Sequence, residues 1–241
     1  MHLRSWMLTL AIGLAASAAS ATPPPRVPAK IAWRPLLKAA ALGKTPWCFA
    51  YSPAHRAYAC LGSAPSPIDQ SARAGYVDLI GGLADKTVVE SHAVAGSAKT
   101  IEPTTAIDAR LAALGFTSVP LAATTLTPGE WTAIDDAAVR FDLRLHEGDA
   151  SFEYFGGLSV RCPDDREIEL NIRKRGLELG EVARLFRAPG TKTFALSVVG
   201  EDGGEGEVET WVNTVVIDTA ALCAGGPGVS GPIDGRSVGP W

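Results

Sequence analysis

The sequence predicts a mainly β protein with one clear α-helix, its strands antiparallel in an N-terminal meander followed by a C-terminal antiparallel sheet or sandwich. Three observations carry this. Val139, Phe141, Leu143 and Leu145 alternate with Arg140, Asp142, Arg144 and His146, a two-residue period that buries one strand face and wets the other. The other apolar segments are mostly short and bounded by Gly, Pro, Ser or Asp. One stretch, residues 104–114, has the spacing of an amphipathic helix.

Taken in order, residues 1–21 read as a secretory signal peptide. Arg4 gives the positive start, residues 6–16 the apolar middle, and Ala19-Ser20-Ala21 the small-residue cleavage site, so the mature chain begins at Thr22. The apolar run is short of the roughly 20 residues that cross a bilayer, so no stable membrane span is expected after cleavage. Residues 22–35 form a linker, because Pro23, Pro24, Pro25, Pro28 and Pro35 force extended backbone. A short helix is expected over 36–42, stopped at Gly43.

Strands are expected over 47–51, 56–61, 76–80 and 87–94, and their short connections favour a meander. The helix over 104–114 follows, with Pro103 suited to its start, Ile107, Leu111 and Leu114 on one stripe, and Gly115 as its C-terminal cap. Asp108 and Arg110 fall on its wet side. Beyond the turn at Pro128-Gly129, strands are expected over 139–146, 151–154, 158–162 and 167–173, and a short helix over 180–187. The runs 193–199 and 208–217 are apolar enough to be central strands, joined by a loop over 200–207. Residues 224–241 read as a disordered Gly/Pro tail. This division gives a meander-plus-helix unit over 36–120 and an antiparallel β unit over 121–223, which can also form one domain.

Without Arg4 the 22 basic residues become 21 against 26 acidic, a net charge of about −5 with histidines neutral. Nucleic acid is excluded as a partner, since its binding needs a clustered basic face. The four cysteines sit in an exported chain, where pairing is favoured. Cys48 and Cys60 lie symmetrically about Ala54, so a turn over 52–56 sets them opposite each other, which leaves Cys162 with Cys223. No C-x-x-C spacing points to zinc.

Motifs of catalysis are weak. Leu42-Gly43-Lys44-Thr45 ends like a phosphate-binding loop, but Lys38 stands where the first glycine belongs. His55, His92 and His146 are isolated from one another, and no cofactor is implied. Asp202, Glu205 and Glu207, with Glu201 and Glu209, could supply oxygen ligands to calcium if a glycine-rich loop turned them inward, although a solvated face explains them more simply. Trp33, Trp47, Trp131 and Trp211 could stack on sugars, yet large aromatics belong more often to cores. The balance favours a non-catalytic binding or structural module of the cell envelope or extracellular space, whose partner is a protein or glycan. The alternatives are a secreted hydrolase whose site assembles only on folding and a calcium-dependent module.

N-terminal sequencing of the exported protein is expected to begin at Thr22; an intact Met1 in the mature fraction would refute cleavage.

Overall fold

The computed structural model describes residues 31–41, 48–65, 73–81, 88–134, 139–147, 153–170, 182–204, 207–226 and 228–230. The signal peptide, Trp47 and the 42–45 motif lie outside them. Helices α1 (Trp33–Ala41), α2 (Thr104–Ala113) and α3 (Thr219–Cys223) accompany three antiparallel sheets.

Sheet A is the expected meander of β1 (Cys48–Ser52), β2 (Ala57–Pro65), β3 (Arg73–Gly81) and β4 (Val88–Gly96). Arg56 closes its first turn at φ 48°, and β1 pairs β2 with Cys48 opposite Cys60. α1 begins at Trp33, inside the stretch read as linker, because Pro35 sits in the first turn, where a missing amide donor costs nothing. α2 starts after Pro103, and Gly115, at φ 69°, closes its C-terminus as the sequence suggests.

Sheet C is formed by β6 (Thr132–Ile134), β7 (Val139–Glu147), β8 (Glu153–Arg161) and β9 (Glu167–Leu170). The sequence reads β8 as two strands because Gly156-Gly157 interrupts it; the pairing slips there, with Arg144 opposite Gly157 and Leu145 opposite Phe155. Ile172 lies outside the described residues.

Sheet B is ordered β13-β12-β11-β10-β5. It contains β5 (Ala122–Leu126), β10 (Val182–Arg187), β11 (Thr193–Gly204), β12 (Glu207–Asp218) and β13 (Val229–Ser230). Three expectations are corrected here. Residues 182–187 are strand, not helix: Ala183 and Leu185 face one core while Phe186 faces another, and this two-sided apolar pattern mimics helical spacing. Most of the presumed loop 200–207 is strand, since β11 and β12 remain paired to Gly204 opposite Glu207. The tail begins ordered, with Val229 and Ser230 paired to Ile217 and Val216. Only glycine fits at position 228, where a Cβ would lie 2.7 Å from the Asp218 carbonyl oxygen and collide with Leu222.

The layers stack in the order helices, sheet A, sheet B, sheet C. Ile107 and Leu111 of α2, with Trp33 and Leu37 of α1, pack on Leu61, Val77 and Leu79 of sheet A. The opposite face of sheet A sets Tyr58, Cys60 and Ile80 against Phe186, Ala195 and Val216 of sheet B. The far face of sheet B packs Leu185, Phe194, Leu196, Val215 and Ile217 on Phe141, Leu158 and Val160 of sheet C, the expected sandwich. Both disulfides form with the expected pairing, Cys48–Cys60 within the first hairpin and Cys162–Cys223 across 61 residues.

Peptide mapping without reduction is expected to recover these two pairs alone. Replacing Cys162 and Cys223 together by Ala should lower unfolding free energy by about 2–4 kcal/mol, more than the same change at the shorter Cys48–Cys60 loop. Equal losses would show that chain entropy is not what the long bridge supplies.

Candidate functional site

Three groups of polar side chains stand out once the layers are assembled. The first joins sheet A to sheet B. The Tyr58 hydroxyl donates to the Thr193 carbonyl at 2.5 Å and accepts from the Ala188 amide at 3.1 Å. Burial pushes this phenol up to about 12, so it remains a neutral donor at physiological pH. The Tyr51 ring packs on that of Tyr58, 4.8 Å between centroids, and burial raises its phenol as well. Beside them Arg56 reaches from the β1–β2 turn to Asp218, 2.6 Å away. Asp218 is buried, and its other oxygen accepts from the Ala221 amide, capping α3. Deeper in this layer Ser197 and Thr214 hydroxyls meet at 2.8 Å, and Ser197 lies 4.0 Å from Cys48 Sγ.

The second group pins α2 to the edge strand β4. Glu90 and His92 are two residues apart, so they share the face of β4 that looks toward the helices. Arg110 of α2 grips the Glu90 carboxylate with two donors, Nε at 2.8 Å and Nη2. His92 Nδ1 lies 2.9 Å from Glu102, on the approach to α2, and Nε2 lies 3.4 Å from Glu90. The Trp33 indole donates to Asp108 at 2.7 Å, tying α1 to α2. Arg110 is exposed and Asp108 half-buried, in keeping with the wet side read from sequence, and both add polar contacts to the helix that Ile107 and Leu111 seat.

A histidine between two carboxylates has the parts of an acid–base relay. Among the described residues, however, its hydrogen-bond and ion-pair partners are both carboxylates, and the adjacent Ser91 projects from the opposite face of β4. No nucleophile is thereby brought to it. His55 sits half-buried at the hairpin tip, and His146 lies on β7 without a described side chain.

The third group lies on the face of sheet C turned away from sheet B. The register sets Asp142 beside Ser159 and Ser159 beside Glu169, with Arg140, Arg161 and Glu167 in the next row. Asp142, expected to be wet, is 8 % exposed, and Ser159 is fully buried with no hydrogen-bond partner for its hydroxyl among the described residues. Trp131, just before β6, is half-buried, and the Arg161 guanidinium lies 4.2 Å from its ring centroid.

The calcium candidates fare differently. Asp202 is on β11 opposite Glu209, Glu207 is on β12 opposite Gly204, and Glu205 lies outside the described residues. Among the described residues no group of three or more metal-ligating side chains is placed to hold an ion, and no helix is long and apolar enough to cross a membrane. Sequence reading missed Asp218, although an Asp immediately before Thr219-Ala220-Ala221 is a helix-capping pattern. It also missed Glu90 and Glu102, which become partners of His92 only when α2 folds over β4. No protein-family model, curated protein or solved structure matches the chain.

Arg110 holds the Glu90 carboxyl below its ordinary range, against the opposing effect of burial. The stability from this pair is thus present above the ordinary glutamate value of about 4.3 and is lost as pH falls through the lower folded value. Glu90→Gln is expected to lower the melting temperature at pH 7 by about 4 °C or less, an effect of about 1 kcal/mol, and to flatten the acid limb of the melting profile. A variant profile parallel to the wild type would refute the assignment.

Proposed function

We propose that the chain is a disulfide-stapled, non-catalytic binding or structural module of the cell envelope or extracellular space, with a protein or glycan as partner. One observation carries the reading: several of the described polar contacts run from one layer to the next. Arg56–Asp218 joins sheet A to sheet B, Arg110–Glu90 and His92–Glu102 hold α2 to β4, and Trp33–Asp108 holds α1 to α2. Two disulfides reinforce that framework. Such a fold keeps its surfaces in fixed positions, which suits recognition.

Among the described residues β10 pairs β11 as far as Val182 opposite Val199, and the β11–β12 ribbon continues to Gly204 opposite Glu207. Its sequence from Gly200 to Glu209 carries five acidic residues and no basic one. Its acidic composition disfavours edge-to-edge pairing with copies of itself, which would bring like charges together.

The mature protein is expected to co-sediment saturably with the insoluble envelope fraction of the producing cell, and His92→Ala to bind as well as wild type. Hydrolysis of ester, peptide or glycoside substrates that His92→Ala abolishes would overturn this reading in favour of a secreted hydrolase.

A further inference from the structure

We infer that the outer edge of β5 docks a second copy of the protein, two molecules joining their B sheets antiparallel about a two-fold axis through Thr124. The inference concerns self-association and stands apart from the envelope partner proposed above. An unpaired strand edge is a template for another strand, and folded proteins shield such edges by shortening, charging or covering them. The other sheet edges are shielded in these ways. β13 spans two residues and β6 three. β9 carries Glu167 and Glu169, Tyr51 of β1 exchanges backbone hydrogen bonds with Thr117, and the Ala93 carbonyl of β4 accepts from the Glu102 amide.

β5 has none of these devices among the described residues. Its sequence, Ala122-Ala123-Thr124-Thr125-Leu126, holds no charge and no proline, and it pairs with β10 in unbroken register, without a bulge. Among the described strands β10 is its one partner. Ala123 stands opposite Phe186, on the side of sheet B that meets sheet A, and Thr124 opposite Leu185, on the side that meets sheet C. Ala122, Ala123 and Thr125 are all exposed, so neither covering sheet closes over this edge.

The edge is also matched to its own copy. Pro120 and Pro128 lie four residues either side of Thr124, and neither can donate to a ladder, so they bound a pairing run over residues 121–127. Antiparallel pairing about Thr124 sets Pro120 of each copy opposite Pro128 of the other, and any slip shortens the run. In that register Thr124 meets its own counterpart, a favourable cross-strand pair, and Ala123 meets Thr125 on each side of the axis. Small uncharged side chains bring no like charges together. One short edge buries less than about 1,200 Å², so the dimer is weak and concentration-dependent.

The test is sedimentation velocity of the mature protein from micromolar to near-millimolar concentration. Wild type is expected to shift from monomer to dimer without larger species, since two-fold pairing occupies the edge in both copies. Ala123→Lys/Thr125→Lys, which sets lysines opposite each other across the axis, should weaken dimerisation by about tenfold or more, and Ala123→Glu/Thr125→Glu likewise. Mixing the two variants should restore association, because each Lys then faces a Glu. That recovery also shows that both variants are folded, the changed side chains being exposed in the monomer. A protein monomeric throughout, a dimer indifferent to both variants, or a mixture that stays monomeric would overturn the proposal.

Discussion

Sheet B is apolar on both faces, and the rest of the molecule is arranged to cover it. Along β11, Phe194 and Leu196 face sheet C while Ala195 and Ser197 face sheet A; along β12, Val215 and Ile217 oppose Thr214 and Val216 in the same way. Phe186 and Val216 on one face and Phe194, Leu196, Val215 and Ile217 on the other leave the sheet no stable solvent-facing side, because each such side chain loses about 1.5–3 kcal/mol of burial if exposed. Two further sheets are therefore required. Sheet C closes one side with large residues in a sandwich core, and sheet A closes the other with Tyr58, Cys60 and Ile80.

The two interfaces differ in kind. Between sheets B and C the core is aliphatic and aromatic, with Phe141 and Phe194 5.1 Å apart edge to face. Between sheets A and B it is mixed, and each polar group identified there has a partner: Tyr58 with two backbone groups, Ser197 with Thr214, Asp218 with Arg56 and the α3 cap. Apolar surface supplies affinity between layers without fixing their registration, whereas directional bonds fix it. Asp218 is central to that registration. One buried carboxylate links the sheet A turn, the end of β12 and the start of α3, and α3 is bonded through Cys223 to Cys162 beside sheet C. Arg56 is half exposed, so the pair contributes orientation more than energy.

The helix layer is fastened by a different logic. α2 buries little beyond Ile107 and Leu111, and its hold on the sheet is completed by charge at the β4 edge. Glu90, His92 and Glu102 together with Arg110 tie the helix-facing side of β4 to α2 and its approach, and the Glu102 amide donates to the Ala93 carbonyl of the edge strand at 2.8 Å.

What the sequence determined by itself is what local periodicity and chain chemistry can fix. The period at Val139 to His146, the capping residues Pro103 and Gly115 around α2, and the symmetry of Cys48 and Cys60 about Ala54 each specify a short-range geometry, and the structure has the strand, the helix and the bridge, although Asp142, on the face expected to be wet, is buried. The strand at 182–187 failed for a physical reason: Ala183, Leu185 and Phe186 sit between two cores, and a pattern serving two faces carries no period of its own. The ribbon over 200–204 failed because glycine and acidic residues favour a loop locally, while pairing with residues 207–211 is a property of the neighbouring strand. Only the tertiary structure decided that Arg56 meets Asp218 across 162 positions, that His92 lies between Glu90 and Glu102, and that Asp142 and Ser159 are buried on an outward face. Contacts between residues far apart in the chain depend on how layers stack, and stacking is set by the summed shape of many side chains rather than by any local spacing.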